Sequence, residues 1–179
     1  MKKVLLALAC LALPLFMFTS CDDDEDILGD LTGNVTMTIG STNQSFTGAA
    51  AYQNDGKTII ATTDGSEAFT LTLDGTTAKK YVLGFAESLN PVEILASGLN
   101  TSNFSSTLTY VPKNSSDTYE VIAGSCTVSS VSSTYIKGTF TGYAVKVADL
   151  SNLSTDILTG ATKISGSFTG VLTNSFLSK

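Results

Sequence analysis

Histidine is absent from this chain of 179 residues. That one gap removes a Ser-His-Asp triad, a Cys-His pair and His-ligated zinc from consideration. Arginine is absent as well, and with it the planar fork that grips phosphates and carboxylates through two parallel hydrogen bonds. There is no tryptophan, the usual stacking platform for a sugar ring. No GxxxxGK loop and no GxGxxG turn occurs, so neither common phosphate cradle is present.

What is present begins at the N-terminus. Lys2 and Lys3 precede an apolar stretch, Val4 to Phe18, that matches the charged and apolar regions of an export signal. At about 15 residues the stretch is short for a membrane span, which needs roughly 20. It ends in Phe18-Thr19-Ser20-Cys21, which resembles a bacterial lipobox: an apolar residue, two small ones, then the cysteine whose thiol takes a diacylglyceryl group. Phe18 stands where such sites usually carry Leu. Cys10 is a poorer candidate, because only six apolar residues, Val4 to Ala9, separate it from the lysines. The resemblance implies a signal peptide over residues 1–20, cleavage between Ser20 and Cys21, and lipid on Cys21. The competing reading is an ordinary secreted protein cut near Ser20. Each buried methylene contributes about 0.8 kcal/mol, so two or three acyl chains would hold the protein on a membrane durably.

Asp22, Asp23, Asp24, Glu25 and Asp26 follow the cysteine without interruption. Like charges at that density repel one another and stay solvated, which predicts an extended tether over residues 21–33. The run lacks the spaced Asp-x-Asp-x-Asp-Gly pattern of a calcium loop. It resembles the acidic export signal of surface lipoproteins in Bacteroidetes-type bacteria, which implies an outer-membrane protein facing outward. Under enterobacterial rules an Asp directly after the cysteine implies retention in the inner membrane instead.

Charge changes meaning once these segments are set apart. Removing Lys2 and Lys3 from ten lysines leaves eight, and removing Asp22 to Asp26 and Asp30 from sixteen acids leaves ten. The remaining domain, residues 34–179, is close to neutral and offers no basic patch for nucleic acid. The mature chain of about 159 residues is the size of one domain. With Cys21 committed to lipid, Cys126 has no intrachain disulfide partner, so a hydrophobic core must carry the fold. Cys126 reads as a buried strand residue, since no histidine is available to activate it.

From Asn34 onward, hydroxyl and apolar residues alternate with period two, the pattern of half-buried antiparallel strands. Val35, Met37 and Ile39 share one face while Thr36 and Thr38 take the other. Thr58–Thr63 and Ala68–Leu73 flank Asp64-Gly65-Ser66-Glu67 and predict a hairpin with Phe69, Leu71 and Leu73 inward. Asn54-Asp55-Gly56 and Asp74-Gly75 mark turns. Further strands are expected at Lys80–Phe85, Thr107–Val111, Thr118–Ala123, Ser125–Val131, Thr134–Val147 and Thr162–Leu172. The whole predicts an all-β fold, an antiparallel sandwich or barrel of about 8–10 strands with at most one or two short helices. One such helix is expected after Asn90, with Pro91 in its first turn, Glu93 three residues past the cap and Gly98 as its stop.

A local repeat defines the C-terminal half. Ile136-Lys137-Gly138-Thr139-Phe140-Thr141-Gly142 recurs as Ile164-Ser165-Gly166-Ser167-Phe168-Thr169-Gly170. The copies are expected to pair antiparallel across the loop Ala148 to Gly160, each Phe covering a Gly of its neighbour. An exposed aromatic and glycine surface for sugar rings is the functional alternative to that core packing. Past Gly142 the apolar positions Tyr143, Val145 and Val147 change parity, which a bulge at Gly142 would reconcile. Together with Tyr119 through Gly124 and Tyr135 through Phe140, these segments resemble small, uncharacterised Bacteroidetes-type surface lipoproteins. The resemblance implies a β-sandwich or calycin-like domain and carries no activity.

Three functional expectations remain. A non-catalytic surface lipoprotein that binds a glycan or small ligand predicts a cleft or mouth lined by tyrosine and asparagine. Tyr110 and Tyr119, which bracket the polar turn Lys113–Asp117, are its first candidates. A structural or adhesive subunit predicts an exposed edge strand. A glycoside-type hydrolase, the least favoured, needs two carboxyls roughly 5 to 10 Å apart in one cleft, drawn from Glu67, Glu87, Glu93 and Glu120. No catalytic residue, metal site or cofactor is assigned, and the partners expected are a membrane, through Cys21, and a glycan or small ligand.

Overall fold

The computed structural model describes residues 32–96 and 104–173. The expected signal peptide, the cleavage pair Ser20 and Cys21, the acidic run Asp22–Asp26 and the helix stop at Gly98 lie outside those residues.

Ten strands occur among the described residues: β1 (Asn34–Ile39), β2 (Thr42–Thr47), β3 (Ala50–Asn54), β4 (Lys57–Asp64), β5 (Glu67–Leu73), β6 (Lys80–Gly84), β7 (Thr107–Val111), β8 (Tyr119–Val131), β9 (Tyr135–Lys146) and β10 (Thr162–Leu172). Seven of them close a barrel in the order β10, β3, β4, β5, β7, β8, β9 and back to β10. Every pairing in that circuit is antiparallel except the short parallel one that sets Val171 and Leu172 of β10 beside Ala50 and Ala51 of β3. β1 adds to β10 and β2 to β1, while β6 adds to β8, so three strands stand outside the circuit.

Local chemistry explains the hairpins. Asp55 and Gly56 form the two-residue loop between β3 and β4, with φ of 50° and 76°. Both central residues of a type I′ turn need that sign, and Asp-Gly tolerates it best. Between β4 and β5, Gly65 takes φ 63° as the first of two loop residues, and Asp64 pairs with Glu67. Phe69, Leu71 and Leu73 then face inward with no exposed surface.

The repeated segments pair as their spacing predicts. Phe140 sits opposite Gly166 and Phe168 opposite Gly138, and each phenyl ring fills the space over the neighbouring glycine. Phe69 meets Phe140 with ring centroids 5.4 Å apart, so the repeat's aromatics belong to the barrel core together with Val35, Ile60, Leu83 and Cys126.

Several expectations need correction. The two strands expected at Thr118–Ala123 and Ser125–Val131 are one strand, β8. Gly124 suggests a turn, but it faces Gly142 across the ladder, where the missing side chains let the backbones approach. The parity change past Gly142 does not come from a bulge there, because β9 keeps its register with β10 from Tyr135 to Ala144. The irregularity lies in the partner strand, between Val121 and Ala123 of β8. Strands β2 and β3 were not anticipated. β2 lies outside the barrel circuit and fully buries only Phe46, so it lacks a period-two apolar signal.

Helical segments number three among the described residues, one more than expected: α1 (Pro91–Ala96), a 3-10 helix (Val147–Asn152) and α2 (Thr155–Thr159). The Asn90 Oδ1 accepts from the Val92 amide at 3.2 Å, and the Ser154 Oγ from the Ile157 amide at 3.4 Å. Such capping offsets the orphan amides of a helix start. Both α-helices cover the outer face of the barrel. There Ile94 and Leu158 form a second apolar cluster with Ile122, Ala123, Val145 and Leu153. This cover explains the mixed parity of β9, since Ala144 packs into the barrel and Val145 into the outer cluster.

Candidate functional site

Tyr110 ends on β7 directly opposite Tyr119 at the start of β8, and their ring centroids lie 6.5 Å apart. Both rings line a cavity of about 240 Å³ at one end of the barrel. Ile39, Thr42, Gln44, Pro112 and Thr162 complete its wall. Apart from Gln44, within β2, these come from strand ends or adjoining turns on that side, so the cavity is a mouth of the barrel whose rim β1 and β2 help to form. Tyr110 is only 2 % exposed and packs within the core; Tyr119 is half-buried.

Behind Tyr110 stands a carboxylate. The phenolic O–H of Tyr110 donates to the Glu67 Oε1 at 2.5 Å, and Glu67 is 6 % exposed. Burial, the Glu67 acceptor and its negative charge together hold the Tyr110 phenol well above its ordinary range, and a hydrogen bond with Gln44 opposes them. Tyr110 and Glu67 thus form a polar pair behind a wall that mixes aromatic and apolar surface with the amide of Gln44 and the hydroxyls of Thr42 and Thr162. Sequence reasoning did not single out Gln44, and it named Glu67 only as one of four candidate carboxyls for a hydrolase, not as a partner of Tyr110. Their signal was parity: Glu67 has the parity of Phe69, Leu71 and Leu73, and Gln44 that of Phe46.

The four glutamates do not converge. Thr109 precedes Tyr110 on β7 and therefore points to the other side of the wall, where its Oγ1 donates to the Glu120 Oε2 at 2.7 Å. Glu67 and Glu120 are held on opposite faces of the same wall. Burial raises the Glu120 carboxyl above its ordinary value, and the Thr109 bond partly offsets this. Glu87 pairs with Lys80 at the exposed surface, and Glu93 lies in the first turn of α1. Cys126 is fully buried and free, and burial pushes its thiol up to about 12. Among the described residues, no three His, Cys, Asp or Glu side chains cluster closely enough to hold a metal ion.

Two other depressions lie on the outer faces. One, of about 430 Å³, is bordered by Thr36, Thr38, Asn43, Ser45, Ser165 and Ser167 on β2, β1 and β10. Its hydroxyls partly satisfy one another, as in the 2.9 Å bond between Thr36 and Ser167. The other, of about 250 Å³, is an apolar hollow of Ala50, Ala51, Tyr52, Ile59 and Ala61 on β3 and β4. The mouth joins aromatic rings, an amide and hydroxyls in one concavity, with the buried Glu67 carboxylate one hydrogen bond behind it. No family model, no curated protein and no solved structure matches the chain, so the site stands on its own chemistry.

Proposed function

We propose that this chain is a lipid-anchored lipoprotein of the cell envelope, facing outward from an outer membrane, whose barrel is a non-catalytic module binding a glycan or small ligand at its mouth. The observation that carries the binding role is the Tyr110–Tyr119 wall with its hydrogen bond to Glu67. Concavities that combine aromatic and apolar surface with convergent polar groups are where small ligands bind. At about 240 Å³ the mouth falls below the roughly 300–1,000 Å³ of larger ligand sites, so it suits one sugar ring or a compact headgroup rather than a long chain. The separation of Glu67 from Glu120 across the wall supports the non-catalytic part of the reading. The anchor rests on Phe18-Thr19-Ser20-Cys21 and the acidic residues behind it.

A glycan and small-molecule array tests the binding role, comparing the wild-type protein with Tyr119→Ala. Specific binding that is lost in the variant is the expected result; silence across the array, or binding unchanged by the substitution, overturns it. Acyl-analogue labelling of cells tests the anchor, because label should enter the wild type and not Cys21→Ala. Protease added to intact cells should remove the barrel if it faces outward.

A further inference from the structure

The charge balance at the mouth goes a step further. Three ion pairs occur among the described residues, Lys80 with Glu87, Lys113 with Asp64 and Lys146 with Asp117, and Glu67 belongs to none of them. The carboxylate at Glu67 is nevertheless more deeply buried than any of those acids, and its hydrogen-bond partner is the uncharged phenol of Tyr110. A buried carboxylate is costly to hold without a cation, and a neutral donor compensates only part of that cost. No lysine lines the cavity one hydrogen bond away, and Lys146, opposite Tyr119 across the ladder, is paired with Asp117; the wall presents the half-buried ring of Tyr119, backed by Tyr110, which is only 2 % exposed. Aromatic faces attract cations, most strongly where water is excluded.

We propose that the mouth selects ligands carrying a positively charged nitrogen, a protonated amine or a quaternary ammonium, with Tyr119 and Tyr110 as the aromatic wall and Glu67 as the counter-charge behind it. This rests on the mouth being a binding site and adds the class of its ligand. Two sources share the chemistry, an amino sugar within a glycan and a free alkylammonium compound.

The test is calorimetric titration of the full chain in mild detergent at constant ionic strength, with glucosamine, glucose and tetramethylammonium as probes. Glucosamine should bind at least tenfold more tightly than glucose. Tetramethylammonium binding alongside it would show that the charge suffices, whereas its failure would assign the source to amino sugars. Glu67→Gln should abolish the preference, because the amide oxygen still accepts from Tyr110 while the charge is gone. Near-ultraviolet circular dichroism checks that this variant keeps its packing. Should it fail to fold, Tyr119→Leu, which leaves the carboxylate in place, should likewise erase most of the preference. Equal affinity for glucose and glucosamine would overturn the cation selectivity while leaving the binding role intact. Retention of the preference in a folded Glu67→Gln would also overturn it. No binding of any probe would overturn it too, and the array result would then decide the fate of the binding role.

Discussion

The ring of Phe168 fills the space that a side chain at Gly138 would need: a Cβ on Gly138 would come within 2.6 Å of the Phe168 Cζ and 2.5 Å of the Thr127 carbonyl oxygen. One of these obstacles is backbone, so the site cannot relax by turning a side chain. Gly138→Ala should therefore lower the stability of the barrel by about 1–3 kcal/mol, the range typical of overpacking. Urea unfolding followed by tyrosine fluorescence would measure it, and an unchanged midpoint would contradict the packing described.

The outer cluster should matter as much as the barrel core. Leu158 has no exposed surface although it lies on a helix of five residues outside the barrel. Leu158→Ala should cost about 2–5 kcal/mol, as a buried truncation does. Ser154→Ala, which removes only the cap of the same helix, should cost about 1 kcal/mol. Equal costs in denaturant titration would mean that α2 is held by its cap rather than by its contact with β8 and β9.

Cys126 offers a chemical reading of global unfolding. Its thiol is fully buried, and burial pushes it up to about 12, so almost no thiolate exists near neutral pH. In a Cys10→Ala, Cys21→Ala background, which leaves Cys126 as the sole thiol, a thiol reagent should label it only as fast as the barrel opens. The labelling rate should rise in step with the unfolded fraction as urea is added. Fast labelling of the native protein would place Cys126 outside the core.

Glu120 sets a pH dependence whose sign is the reverse of the usual one for a carboxylate. Burial raises its folded value above the unfolded one, so the folded state holds the proton more tightly. Its contribution to stability is present at pH below the ordinary carboxyl value and is lost as pH rises through the raised value. Glu120→Gln, whose side-chain oxygen still accepts from Thr109, should be more stable than wild type near pH 7. That advantage should shrink as pH falls toward 4. Paired thermal melts across this range check it, and a constant difference would contradict it.

Much of the barrel is legible in the sequence because local and long-range signals agree there. Asp55-Gly56 and Gly65-Ser66 fix two hairpin turns, and the alternation beside them fixes which face is buried. The paired Phe and Gly of the repeat identify β9 and β10 as neighbours before any coordinate is known. Legibility fails where one face of a strand is covered by something other than the sheet. β9 carries apolar residues of both parities because helices cover its outer face, and from the strand alone that is indistinguishable from a bulge. At the mouth, Tyr110 and Tyr119 were chosen for their place beside a polar turn, and they do meet. Glu67 entered only as a candidate hydrolase carboxyl beside a turn; its parity pointed inward, but its partner Tyr110 lies 43 residues away in the chain.

The order in which strands pair sets a clock on the chain. β10, the last strand described, lies between β9 on one side and β1 and β3 on the other, and it joins Thr36 to Ser167 across 131 residues. At synthesis rates of about 5–20 residues per second, β1 and β2 wait on the order of ten seconds before their neighbour exists. A lone two-stranded hairpin is marginal in water, so for that interval the N-terminal strands have an unfilled edge. Until β10 arrives they are open to pairing with another copy of themselves.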